Sequence, residues 1–150
     1  MDHEIADFRG DYDFLSNFYA APVEMEGAEY LTIEHAFQAA KTHDFAQRRA
    51  IRIVQTPSAA KRMGRKLKRR DDWFDVSLHI MESLVRQKFT RYPELGEKLL
   101  ATGDAMLIEG NNWNDRFYGV VWNTHAGEWV GENHLGRILM KVRAELQAAK

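Results

Sequence analysis

From Ile33 to Leu146 apolar residues recur three and four positions apart over most of the chain, and one stretch, 110–132, breaks that rhythm with glycines, asparagines and three tryptophans. This pattern is the strongest constraint on the fold. Helices that each present one apolar stripe have to pack on one another. A stretch without period connects them as a long structured loop, and loops of that length usually carry function.

The periodicity predicts a helix over 33–54, capped by Thr32, with Ile33, Ala36, Phe37, Ala40, Ile51 and Val54 as its buried stripe and Pro57 as its stop. A second helix is expected from Ser58 to about Lys68. A third runs from Asp71 to Arg91 with Trp73, Val76, Ile80, Leu84 and Phe89 inward. Pro93 opens a short helix containing Leu95, Leu99 and Leu100, which Gly103 closes in a left-handed turn before an apolar segment over 105–108. Asn133 is placed to cap a final helix whose Leu135, Ile138, Leu139, Val142 and Leu146 share one face.

Strand signals are few. Phe8, Tyr12, Phe14, Phe18 and Tyr19 alternate with small polar residues and suit extended or looped chain, so no regular helix is expected there. Pro22–Tyr30 reads as a short hairpin turning at Gly27. The expected class is therefore α+β and predominantly helical: one domain over 1–150 with a small β-hairpin and a long structured loop before the C-terminal helix.

There is no cysteine, which excludes disulfides, thiol nucleophiles and cysteine zinc sites. Segment 1–9 mixes charges, and no run approaches the ~20 apolar residues of a membrane span, so a cytoplasmic protein with no membrane partner is expected. The net charge of -1 conceals an asymmetry: residues 41–70 carry eleven Lys/Arg against one acid. A local anion site and a solvated basic helix face both explain that segment.

At about 100° per residue Gln38 and Lys41 each fall within about 40° of Glu34, so a carboxylate, an amide and an amine line one stripe. An ordinary solvated Glu/Lys face has the same spacing. His35 beside Glu34 is a common arrangement for a core histidine. The histidines and carboxylates show no metal-ligand spacing, so neither a metal nor a cofactor is expected. Arg62, Arg65, Lys66, Lys68, Arg69 and Arg70 lead into Asp71, Asp72 and Trp73, setting phosphate donors beside an aromatic face; Trp73 as plain core fits equally. Asn112, Trp113, Asn114, Asp115 and Tyr118 form a ligand wall or simply tight turns. P-loop, dinucleotide-fold and serine-hydrolase signatures are all missing.

The ordered motifs Phe14-Leu-Ser-Asn17-Phe18, Glu34-His35-Ala-Phe-Gln38-Ala-Ala-Lys41, Arg70-Asp-Asp-Trp73, Lys88-Phe89, Thr102-Gly103 and Gly131-Glu-Asn133-His-Leu135-Gly136 resemble the NADAR, or YbiA-like, family over nearly the whole chain. The resemblance implies N-glycosidase chemistry at a ribose C1–N bond. Its substrates are ribosylamino-pyrimidine phosphates of early riboflavin synthesis or ADP-ribose on guanine in DNA. It implies Glu34, Trp73 and Asp115 as a catalytic trio. Around them it sets a pocket shaped by Asn17, Phe18, His35, Gln38, Lys41, Arg65, Arg70, Trp113, Asn114, Tyr118, Asn133 and Gly136. The partner implied is a small phosphorylated riboside or an ADP-ribose-type ligand, with ADP-ribosylated DNA as the larger alternative. In the late loop the family's Trp-Gly step is Tyr118-Gly119 here, followed by the longer insertion Val120–Val130. From other classes, a non-catalytic nucleotide-binding module and a helical interaction protein are the rival readings.

Overall fold

In the computed structural model, which describes residues 3–150, the chain is mixed α and β with helices predominating. Met1 and Asp2, the start of the charged segment 1–9, lie outside the described residues. The order is β1 (Glu4–Ile5), a 3-10 helix (Gly10–Leu15), β2 (Val23–Met25), β3 (Ala28–Tyr30), α1 (Ile33–Ala39), α2 (Phe45–Ile53), α3 (Pro57–Arg65), α4 (Trp73–Arg91), α5 (Pro93–Ala101), β4 (Met106–Leu107), β5 (Val121–Asn123), β6 (Glu128–Val130) and α6 (His134–Ala148). They cluster in two compact units. One holds Asn17–Tyr92, the other the chain up to Ser16 with Pro93–Lys150. Among the described residues no helix is long and apolar enough to cross a membrane.

In the Asn17–Tyr92 unit, β2 and β3 form the expected hairpin, pairing Val23 with Tyr30 and Met25 with Ala28. Its two turn residues, Glu26 (φ 48°) and Gly27 (φ 87°), both take the left-handed backbone that matches strand twist in a two-residue turn. The single helix expected over 33–54 is two helices. Thr42 accepts the Asp44 amide at 3.0 Å and donates to the Gln47 side chain at 2.9 Å, while Asp44 accepts the Gln47 amide at 2.8 Å and caps α2. These short polar side chains offer the backbone a better alternative than continued helix. Thr32 caps α1 through the His35 amide as expected, and Thr56 caps α3 with Pro57 in its first turn. The inward face of α4 is rotated from the predicted one. Ser77, Met81, Val85 and Lys88 join Trp73, Leu84 and Phe89, whereas Val76 and Ile80 are only half-buried. Lys88 enters the core with its ammonium 5.2 Å from the Tyr19 ring centroid, a placement that an apolar period alone discounts.

In the other unit β1 and β4 pair in parallel, Ile5 beside Leu107. The aromatic start contains a 3-10 helix, not only loop, entered through Gly10 at φ +56°. Gly103 ends α5 left-handed, as expected, at φ +66°. Segment 110–132 holds a hairpin, β5–β6, that its breakers conceal: Val121 pairs with Val130 and Trp122 with Trp129, the two indoles packing edge-on at 5.2 Å. The Asn123 side chain organises its turn by accepting the His125 and Ala126 amides.

Asn133 sits at the start of α6, but its side chain caps nothing. The first amides of α6 are met by loop carbonyls, His134 by Phe117 at 3.1 Å and Leu135 by Tyr118 at 2.9 Å. The Asn133 carboxamide instead donates to the Leu107 carbonyl and accepts the Glu109 amide, both at 3.0 Å. At Gly136 a Cβ would stand 2.1 Å from the Leu107 carbonyl oxygen, so only glycine lets α6 lie on β4. Both residues, expected at the ligand, make contacts that hold this unit together.

His35 has a structural part of its own. It is wholly buried, with Nδ1 2.8 Å from the Thr32 hydroxyl and Nε2 2.9 Å from the Val54 carbonyl, so it ties the start of α1 to the end of α2. Burial pushes its pKa below the ordinary 6.5, and the bond to Val54 only partly offsets this. The unfolded chain therefore binds a proton near pH 6.5 that the folded chain refuses. The stabilisation is present above that pH and drains away as pH falls toward the folded value. Tm measured by calorimetry should drop between about pH 7.5 and about pH 5.5, and His35→Gln should flatten that slope. An unchanged slope in the variant would assign the loss to other groups.

Candidate functional site

Glu34 is the first acidic residue of α1, and it does not face solvent: its side chain is 8% exposed. Three features hold it. Its amide donates to the Asn17 carbonyl at 3.1 Å, its Oε1 accepts from Gln38 Nε2 at 2.8 Å, and the Lys41 charge lies close enough to couple with it. The Gln38 bond is the helical i, i+4 contact expected from spacing, but buried (Gln38 is 6% exposed) and not part of a solvated face. Gln38 Oε1 and Asn17 Oδ1 are buried without a hydrogen-bond partner, while Asn17 Nδ2 reaches the Met81 sulfur at 3.5 Å.

Lys41 lies just past α1. Burial pushes its ammonium below the usual lysine range and Glu34 pulls it back up, while Arg69, Arg65 and Lys61 push it further down. Four cations thus gather near one carboxylate. A cluster of cations of this kind is chemically suited to an anionic ligand. Lys61, missed as an individual site residue, belongs here; its ammonium stands 5.9 Å from the centroid of the half-exposed Phe18 ring. Only its place in the basic segment hinted at this.

Arg70, also expected at the ligand, is engaged within the protein. Its guanidinium grips both Asp72 carboxylate oxygens, Nη2 to Oδ2 at 2.9 Å, and its amide donates to the Lys41 carbonyl at 2.7 Å. That clamp docks the α3–α4 junction beside the end of α1. Arg65 is exposed. Next to the clamp Thr42, His43, Lys68, Arg69, Arg70, Asp71 and Asp72 line an open groove of about 460 Å³. Trp73, 8% exposed, packs on Phe37 with centroids 5.0 Å apart, so the plain-core reading of its ring and the aromatic-wall reading merge at α1.

Asp115, Trp113, Asn114 and Tyr118 come together in the other unit. Asp115 Oδ1 accepts the Phe117 and Tyr118 amides, each at 3.0 Å, and Asn111 Oδ1 accepts the Asp115 and Trp113 amides at 2.9 and 3.2 Å. Asn114 has φ 66°, the left-handed turn position that asparagine tolerates. The indole of Trp113 is about half exposed. Tight-turn chemistry therefore explains much of this loop. Among the described residues no group of three or more His, Asp or Glu is arranged to hold a metal ion.

The NADAR domain model matches residues 6–147. The chain is 39% identical over 142 residues to N-glycosidase YbiA of Escherichia coli (strain K12), covering 93% of this chain and 85% of that protein. It is 36% identical over 141 residues to N-glycosidase Npun_R5314 of Nostoc punctiforme, covering 91% and 86%. The riboflavin biosynthesis protein VVA0006 of Vibrio vulnificus is 36% identical over 139 residues, which span 91% of this chain but 36% of that longer protein. The NMR structure of E. coli YbiA superposes with a TM-score of 0.82 at 36% identity, covering 99% of this chain and 88% of that one. With a family model spanning nearly its whole length and relatives this similar, the chain belongs to the NADAR family.

Proposed function

We propose that this chain is an N-glycosidase that hydrolyses the ribose C1–N bond of a phosphorylated ribosylamino-pyrimidine, with Glu34 at the centre of the chemistry. The observation that carries the reading is a buried carboxylate, fixed by Gln38, among the cations Lys41, Lys61, Arg65 and Arg69. The relatives named N-glycosidase support the reaction class, and those named riboflavin biosynthesis proteins support the substrate.

Cleavage of such a bond passes through an oxocarbenium-like state. The C1–N electron pair leaves with the nitrogen, which takes up a proton, and a water oxygen bonds to C1. A carboxylate held dry stabilises the developing positive charge and accepts the water proton. Glu34 fills that role in this proposal. The family resemblance names Asp115 as a second carboxylate; in its own unit Oδ1 accepts two backbone amides. Trp73 walls the base or sugar, and the cations grip the phosphate, supplying remote binding energy for the chemical step. The proposed compartment is the cytoplasm, because a phosphorylated substrate does not cross a bilayer unaided.

One observation favours a second reading. The groove beyond Arg69 extends the cationic region and suits a larger ligand such as ADP-ribose on guanine in DNA. Purified protein in EDTA should release pyrimidine from the ribosylamino-pyrimidine 5′-phosphate, followed by mass spectrometry. Glu34→Gln should melt normally and lose at least about 100-fold in kcat. Release only from an ADP-ribosylated oligonucleotide would select the second reading, and binding without release from either would make the chain a non-catalytic module. Wild-type turnover in Glu34→Gln would overturn the mechanism.

The phosphate role has its own test. Lys61→Ala and Arg65→Ala should each raise KM about 10-fold with a smaller change in kcat, and added salt should raise the wild-type KM. Unaltered KM in both variants would remove the cations from binding.

A further inference from the structure

We infer that Gln38 is a positioning residue for Glu34 and that Gly64, on the neighbouring helix, is the element that holds Gln38 in place. The inference rests on the reading of Glu34 as the reacting carboxylate.

Gln38 presents two ends. An ionised carboxylate only accepts hydrogen bonds, so the amide must turn Nε2 toward Glu34, and it does so at 2.8 Å. Oε1 is then directed elsewhere, and it is buried with no hydrogen-bond partner. A buried carbonyl oxygen left that way is costly, and such groups in native proteins call for an explanation. Gly64 supplies it. A Cβ built on Gly64 would lie 1.9 Å from Gln38 Oε1, 2.6 Å from Cδ and 2.9 Å from Cβ. The position a side chain would occupy is thus filled by the carboxamide itself.

The hydrogen that glycine carries in that direction points at Oε1. Adding a Cα–Cβ bond of about 1.5 Å to the 1.9 Å contact puts Oε1 within about 3.4 Å of the Gly64 Cα, the range of a Cα–H···O contact. A weak bond of this kind cannot compete for Gln38 Nε2, which leaves the strong, charge-assisted bond to Glu34 as the one that sets the amide orientation. Space and polarity therefore both select one rotamer. Any side chain at position 64 crowds the carboxamide, and any residue without a donor at 38 removes that hydrogen bond from the carboxylate. Gly64 sits in the last turn of α3, where glycine is a poorer helix former than alanine. Local helix stability does not explain a glycine there, whereas the contact with Gln38 does.

The test uses Gln38→Met, which fills similar space without a donor, and Gly64→Ala, each assayed on the substrate turned over by the wild type. Gln38→Met should lower kcat about 10- to 100-fold while KM changes less than about 3-fold, and the acidic limb of the kcat/KM profile should move to higher pH, because a donor to the charged carboxylate has been lost. Gly64→Ala should move the limb in the same direction. The double variant should move it no further than Gln38→Met alone, the coupling expected of two residues in contact. A limb that Gly64→Ala moves equally in the Gln38→Met background, or wild-type kcat and limb in Gln38→Met, would overturn the inference. Carboxyl ¹³C NMR titration, with Glu34 assigned through Glu34→Gln, separates this from failure of the functional reading. If Glu34→Gln retains turnover that reading falls, and a Glu34 midpoint unmoved by Gln38→Met removes the positioning role by itself.

Discussion

A carboxylate drawn out of water to 8% exposure is costly unless its charge is met, and the Asn17–Tyr92 unit is organised around meeting it. The Asn17 carbonyl fixes the backbone at Glu34, Gln38 supplies a direct hydrogen bond, and Lys41 with its neighbouring cations supplies the field. Each partner comes from a different local device: a loop end, an i+4 position on a seven-residue helix, and the residues after that helix ends. Together they produce an excess of positive charge that one carboxylate does not neutralise. Burial first, and then Arg69, Arg65 and Lys61, push the Lys41 ammonium down against the pull of Glu34. In the function proposed above, the substrate phosphate binds at this cluster.

The break after α1 is what makes this possible. Were the helix continuous to Val54, Lys41 would be one more residue on a helical stripe. Because Thr42 and Asp44 end it, the backbone at Lys41 is exposed to the incoming chain, and its carbonyl receives the Arg70 amide at 2.7 Å. The α3–α4 junction is docked there, and Arg70 is kept in place by Asp72. Arg69, adjacent in sequence, is delivered to the Lys41 environment by the same clamp. Four of the eleven cations spread over 41–70, Lys41, Lys61, Arg65 and Arg69, are in this way brought near one another.

Much of this is legible in the sequence, and the limits have physical causes. The hairpin at 23–30 and the closures at Thr32, Pro57 and Gly103 are readable because a local turn or cap chemistry determines each. The division of 33–54 is not, since its apolar period continues through Ala40 and the side-chain bonds of Thr42 and Asp44 carry no periodic signal. The rotation of α4 escapes for a similar reason: Ser77 and Lys88 are polar and yet buried, so a count of apolar residues assigns them outward. The β5–β6 hairpin is hidden because three residues per strand are too few to establish an alternation against surrounding Gly and Asn. The stripe of Glu34, Gln38 and Lys41 is visible as spacing, but its burial depends on α3, which spacing cannot place.

The same logic sorts the motif residues into chemistry and scaffold. Both ring nitrogens of His35, the fork of Arg70, both ends of the Asn133 carboxamide and the open face of Gly136 are all occupied by the protein itself. A group whose hydrogen-bonding capacity is spent internally has little left to offer a ligand, however strongly its motif marks it. Asn17 differs, because its Oδ1 retains an unused acceptor beside the backbone that anchors Glu34. Asp115 stands between these cases, one oxygen ordering the loop over Phe117 and Tyr118 and the other without that duty. Unspent capacity, more than membership of a motif, is therefore the property that separates residues able to act on a substrate from those that hold them in position.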